Sequence, residues 1–184
     1  MGSAYSVDFR RHSRKGTRND LLNPYADSGF DKLAAAKRRA LMSKIRSSDT
    51  KPERVMRTAL RQRGLRFRTD YGAEHADFAF PSAKVALFVD GCFWHGCPKH
   101  YVPPRNNATY WKWKVGYNRR RDSKLRTRLR EAGWVVFRVW EHSLPMLANR
   151  YAETVARRVR RRTLRSAWQR HTRPAGGPRF RVVR

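Results

Sequence analysis

Between residues 37 and 147 the apolar positions alternate between a helical and an extended period. A short helix is expected from Lys37 to Ile45, broken by Ser47-Ser48-Asp49-Thr50. Thr50-Lys51-Pro52-Glu53 then has the form of a helix start, with Thr50 as N-cap and Pro52 in the first turn. Val55, Met56, Ala59 and Leu60 mark its packed face, and Gly64 ends it. Leu65 to Thr69, Asp77 to Phe80 and Lys84 to Val89 are three strand-like runs; the last is continuously apolar, as in a central strand. A turn is expected at Asp70 to Gly72. A long helix is predicted from about Thr109 to Ala132. In it Trp111, Val115, Asn118, Asp122, Leu125, Leu129 and Ala132 recur at steps of four and three, so they share one stripe. Gly133 closes it, and Trp134 to Trp140 follows as a buried strand. The order α-β-β-β-α-β implies an α/β fold, a mixed sheet flanked by helices.

Outside this stretch the pattern lapses. Residues 1–36 mix small, polar and basic residues and are expected to form a flexible basic arm. Residues 148–184 carry 12 Arg against a single acid, Glu153, and are expected to form an Arg-rich tail, helical over part of Ala152 to Trp168. The folded domain is therefore placed at 37–147.

Charge changes the picture next. Lys and Arg number 43 of 184 residues and the formal net charge is +29. Arginine's planar fork suits phosphate, so the expected partner is a polyanion. No apolar run reaches the 18 or so residues of a membrane span, and Met1 to Arg18 has no apolar signal core. These features point to a cytoplasmic, nucleoid-associated protein on nucleic acid, without a membrane.

The segment Asp90 to about Asn107 has no periodicity and is rich in Gly, Pro, Cys and His, so something other than a core must hold it. Cys92-x4-Cys97-x2-His100 offers three zinc ligands in nine residues, and His142, just past the last strand, is the candidate fourth. The alternative is two free thiols with solvent-facing histidines. Asp77 and Asp90 fall at the ends of adjacent strands, where two carboxylates can jointly hold Mg²⁺ or simply cap turns. His95 is a further ligand or a general acid–base. Asn118 and Asp122 interrupt an apolar stripe. They are either a satisfied core network or groups that orient His95 or a phosphate. Phe93-Trp94 and Trp111 with Trp113 are core packing or a wedge between base steps. Glu53 is a third acidic candidate and also completes a capping box with Thr50.

Taken together, Asp90 to Cys97 (DGCFWHGC), Tyr110-Trp111, Asn118-x3-Asp122 and Gly133-Trp134-x5-Trp140-Glu141-His142 closely resemble the very short patch repair (Vsr) endonucleases over residues 37–147. That resemblance implies a restriction-endonuclease-like core with a structural zinc. It implies Mg²⁺-dependent nicking of one strand beside a T:G mismatch in double-stranded DNA, by a monomer. It makes Asp77 the Mg²⁺-binding aspartate, with the Val89 main-chain carbonyl as a further ligand. It makes His95 the catalytic histidine, and Phe93, Trp94 and Trp111 the wedge. Cys92, Cys97, His100 and His142 become the zinc set, and Glu53 falls near a glutamate implicated in the family's site. Two other readings stay open: a same-fold nuclease acting on another mismatch, lesion or modified site, and a non-catalytic zinc-containing DNA-binding protein.

Overall fold

The computed structural model describes residue 40, residues 48–105 and residues 107–171. The expected basic arm, residues 172–184 and most of the first short helix lie outside these residues; Ala40 is helical.

Helix α1 spans Lys51–Gln62. Its N-terminus is built as the sequence predicts: the Thr50 hydroxyl accepts from the Glu53 N–H, and the Glu53 carboxylate accepts from the Asp49 N–H and the Thr50 hydroxyl. These bonds satisfy amides that a helix start otherwise leaves open. Met56, Ala59 and Leu60 are buried, but Val55 is exposed and lies off the packed face. Gly64 ends the helix at φ +70, a left-handed turn that costs glycine little.

The strand expected at Leu65 to Thr69 does not form. Only Arg68 pairs, through an isolated bridge to Ala79. Leu65 and Phe67 still pack against the core, but the chain turns at Asp70 (φ +48) before a ladder can extend. Tyr71 to Ala76 closes a turn of its own by another single bridge.

Strand β1 is Phe78–Phe80 and β2 is Val85–Asp90. They are antiparallel, joined by a 3₁₀ turn at Pro81–Ala83. Helix α2, Ala108–Glu131, crosses over to β3, Val135–Trp140, which lies parallel to β2. The sheet order among the described residues is β1-β2-β3. β2 is central, as its apolar run predicts. β3, expected to be buried, is mostly half-buried because nothing pairs with its outer edge among the described residues.

Helix α3 runs Leu144–His171. The expected tail from residue 148 is, as far as His171, this helix. Its first turns enter the core at Leu144, Ala148, Ala152, Val155 and Ala156, and it packs on α1. The observed order is α-β-β-α-β-α in place of α-β-β-β-α-β. The lost strand is residues 65–69, cut short at Asp70, and the added helix is α3, whose buried stripe of Leu144, Ala148, Ala152, Val155 and Ala156 at helical spacing straddles the boundary drawn at residue 147.

The sheet separates two apolar layers. Val85, Leu87 and Val139 join Met56, Leu60, Leu144 and Val155 on the α1/α3 face. Ala86 and Phe88 join Leu129 and Trp134 on the α2 face. Alternation along β2 therefore turns Asp90 toward α2.

Candidate active site and metal centre

The C-terminal ends of β2 and β3, the loop after β2 and the middle of α2 converge. Asp77 precedes β1, and its Oδ2 accepts the Val89 N–H at 2.7 Å. Burial raises its pKa from 3.8 to about 7; the Val89 bond opposes the rise, and the neighbouring charges of Glu53 and Asp90 add to it. The negative charges of Glu53 and Asp90 thus bear on a buried Asp77 carboxyl at the edge of the core.

Asp90 does not stand open beside Asp77. Both its oxygens accept from Arg138 of β3, Oδ2 from Nε at 2.6 Å and Oδ1 from the guanidinium end. The register explains the pairing. Arg138 lies opposite Phe88, two residues before Asp90, so its side chain emerges on the same face. The guanidinium also reaches Asp122 Oδ2 at 2.9 Å. Asp122 accepts in turn from His95 Nδ1 at 2.5 Å. Burial alone would raise Asp122, but the bond and charge of His95 and those of Arg138 hold it well below the usual carboxylate range. Arg138 is likewise raised, since Asp90 and Asp122 outweigh its own burial. An ionised Asp122 favours the tautomer with the proton on Nδ1, which leaves Nε2 outside this bond.

Helix α2 pins the loop that carries His95. Asn118 Nδ2 donates to the Trp94 carbonyl at 2.8 Å and Arg119 Nε to the His95 carbonyl at 3.2 Å. Gly96 must be glycine: at φ +63, an added Cβ would sit 2.5 Å from a Val115 methyl. Of the two polar residues that interrupt the apolar stripe, Asn118 bonds loop backbone and Asp122 bonds the His95 ring.

On the far side of the loop, the ligand atoms of Cys92, Cys97, His100 and His142 lie within 4.8 Å of one another. Cys92 Sγ is 3.1 Å from His142 Nδ1, and Cys97 Sγ is 3.7 Å from both His100 Nδ1 and His142 Nδ1. Tetrahedral zinc with bonds of about 2.0–2.3 Å implies donor–donor edges of roughly 3.3–3.8 Å, close to these spacings. This group can hold a metal ion. Burial pushes the Cys92 thiol up to about 11. For Cys97 the bonds from Lys99 and His100 overcome burial and bring it to about 7.

Phe93, Trp94 and Trp111 gather their rings: Phe93 is 5.2 Å from Trp94 and 4.8 Å from Trp111, and Trp94 is 6.0 Å from Trp111. Trp113 stacks on Tyr117 and lies 6.0 Å from Tyr110, whose ring is 5.2 Å from Trp111. Glu53 spends its bonds on the helix cap, and its charge still bears on Asp77.

Sequence reasoning missed two participants. Arg138 sits inside an apolar run, and a lone charge in a buried strand was the available signal. Glu141, whose Oε1 accepts the Cys92 N–H at 2.6 Å, ties the start of the cysteine loop to the end of β3.

Comparison with known proteins bears on this arrangement. The profile described as "DNA mismatch endonuclease Vsr" matches residues 30–100. The type II nicking enzyme V.XorIIP of Xanthomonas oryzae is 39% identical over 118 residues, 62% of this chain and 86% of that one. The DNA mismatch endonuclease Vsr of Escherichia coli is 33% identical over 106 residues, 56% of this chain and 68% of that one. The chain belongs to the Vsr family of DNA endonucleases. The type II nicking enzyme V.NaeI of Lentzea aerocolonigenes is 44% identical to this Vsr-family protein over 108 residues. That match spans 55% of this chain and 65% of the relative's length. No helix among the described residues is long and apolar enough to cross a membrane.

Proposed function

We propose that this Vsr-family enzyme nicks one strand of double-stranded DNA beside a T:G mismatch by Mg²⁺-assisted phosphodiester hydrolysis on a restriction-endonuclease-like core. The observation that carries the reading is the convergence of the Asp77 carboxylate cluster with a His95–Asp122 pair at the ends of β2 and β3. Asp77 would hold Mg²⁺ together with the Val89 main-chain carbonyl, and Glu53 adds negative charge nearby. When bound, the ion supplies positive charge against the scissile phosphate and favours an attacking water. Asp90, whose oxygens both face Arg138, serves as a counter-charge more readily than as a ligand.

His95 moves a proton at Nε2, with Asp122 holding the ring and its tautomer. Phe93, Trp94 and Trp111 wedge between base steps. A mismatched step is cheaper to unstack, so rings already gathered there favour a mismatch over a paired site. Cys92, Cys97, His100 and His142 hold a structural zinc that fixes the loop carrying both His95 and the wedge. The +29 charge draws in the duplex. The protein acts as a monomer.

Five of the relatives are named type II nicking enzymes with no mismatch in the name, which favours keeping a second substrate in view: the same chemistry at another mismatch or modified site. One assay separates them. A panel of duplexes bearing each mismatch in varied contexts is offered to purified enzyme with Mg²⁺ supplied or withheld. Preferential nicking of T:G duplexes that requires Mg²⁺ is the expected result. Equal nicking of all mismatches, or nicking unaffected by withholding Mg²⁺, would overturn the reading.

A further inference from the structure

Arg138 is the least expected group in the site. Its side chain is 19% exposed and it lies between two carboxylates from different elements, Asp90 of β2 at 9% and Asp122 of α2 at 10%. We infer that Arg138 is a positioning residue for the nicking reaction: it removes Asp90 from the cation site and locks Asp122 against His95. This rests on the function proposed above.

The geometry carries it in three steps. First, the Asp90 bond is bidentate through Nε and a terminal nitrogen, so neither carboxylate oxygen is left facing away from the guanidinium. An aspartate so paired gives little to a cation, and Asp77 is left as the carboxylate available to one. Second, the terminal nitrogen that reaches Asp90 also donates to Asp122 Oδ2, the same oxygen that accepts from His95 Nδ1. Two donors converging on one oxygen fix the carboxylate's rotation, and with it the plane of the imidazole. Third, the guanidinium packs 5.9 Å from the Phe88 ring, and the strand register sets its stem. Its direction is therefore set by the sheet and not by the loop.

A buried ion-paired triad is a poor way to gain stability, since desolvation of the charges offsets much of their attraction. Apolar residues of similar size would hold the fold as well. The triad's value therefore lies in where it places Asp122 and His95. A lysine could supply the charge but not the fork that reaches both partners.

The test uses Asp90→Leu/Arg138→Met, which removes the pair without stranding a charge at position 90, and Arg138→Lys. Readouts are thermal melting, kcat and KM for nicking a T:G duplex with Mg²⁺, and the proton resonance of His95 Nδ1–H. The double variant is expected to melt near the wild type, to lose at least about tenfold in kcat with KM little changed, and to show a shifted or exchange-broadened Nδ1–H signal. Arg138→Lys should recover part of the kcat. Wild-type kcat in the double variant would overturn the inference, as would a loss confined to KM, which would make Arg138 a DNA contact. If the double variant does not fold, Arg138→Lys decides alone: wild-type kcat with an unmoved Nδ1–H signal rejects a positioning role. If the wild type itself nicks no duplex, the proposed function fails instead, and the Nδ1–H signal still reports on Arg138.

Discussion

The two sides of the loop after β2 solve opposite problems. On one side, Cys92, Cys97 and His100 lie within nine residues and need only His142 from elsewhere. On the other, Asp77, Asp90, His95, Asp122 and Arg138 come from the approach to β1, from β2, the loop, α2 and β3. The first group buries its two cysteines outside both apolar clusters of the sheet and leaves His100 exposed. The second stands where the core ends: Asp90, Asp122, His95 and Arg138 answer one another, whereas buried Asp77 meets the Val89 N–H and the like charges of Glu53 and Asp90. On the proposed function, the local knot would supply stability and the distributed cluster the chemistry. Damage to the first should unfold the loop, whereas damage to the second should leave a folded protein that does not react.

The sharpest way to break that contrast is at Cys97. Elemental analysis of the wild type is expected to give one tightly held zinc per chain. Cys97→Ala should lose it together with several kcal/mol of stability, since structural zinc binding is largely folding free energy. A protein that melts normally without metal would erase the distinction between the two sides.

Asp77→Asn should do the reverse, abolishing nicking while mismatch binding stays close to normal. It should also change how stability depends on pH. The folded pKa of about 7 lies above the ordinary 3.8, so the folded state keeps a proton that the unfolded chain releases. Without added Mg²⁺, wild-type stability should fall as pH rises from about 4 to about 7. In Asp77→Asn that part of the fall should vanish, leaving the variant the more stable of the two at pH 8. Parallel melting curves across this range would show that the carboxylate cluster carries no strain.

His95→Ala is expected to lose about 10²-fold or more in rate, the usual scale for a general acid or base. Whatever activity remains should still require Mg²⁺. A variant that no longer responds to Mg²⁺ would move His95 from proton transfer to the metal.

A smaller effect is expected at Trp94→Ala: a reduced ratio of mismatched to paired duplex binding at unchanged zinc content. The smallest belongs to the chain end. Removing residues 172–184 deletes Arg173, Arg179, Arg181 and Arg184. This should flatten the salt dependence of DNA binding, by about 0.9 in log–log slope for each phosphate that the protein no longer neutralises. Mismatch preference should be untouched; its disappearance would mean that this segment reads bases.

Much of this protein is written locally. Thr50-x-x-Glu53 dictates a helix start because the Thr50 hydroxyl can accept the Glu53 amide while the Glu53 carboxylate reaches back to that hydroxyl and to the Asp49 amide. The continuous run Val85–Asp90 dictates a central strand because both its faces must be covered. The stripe from Trp111 to Ala132 dictates which side of α2 faces inward, and the spacing of Cys92, Cys97 and His100 confines three ligands to one turn of chain. Each follows from bond geometry and side-chain period over a few residues. The tertiary structure decided what depends on residues far apart. Whether Leu65 to Thr69 became a strand depended on a partner long enough to pair with it, and β1 is three residues long. Whether residues 148–156 formed a tail or part of the core depended on α1 offering a face to Ala148, Ala152 and Val155. Whether Asp90 stood open or paired depended on the register of β3, which sets Arg138 one pleat away. A charge in a sequence has a sign but no neighbour; pairing is a property of distance, and only the folded chain sets that.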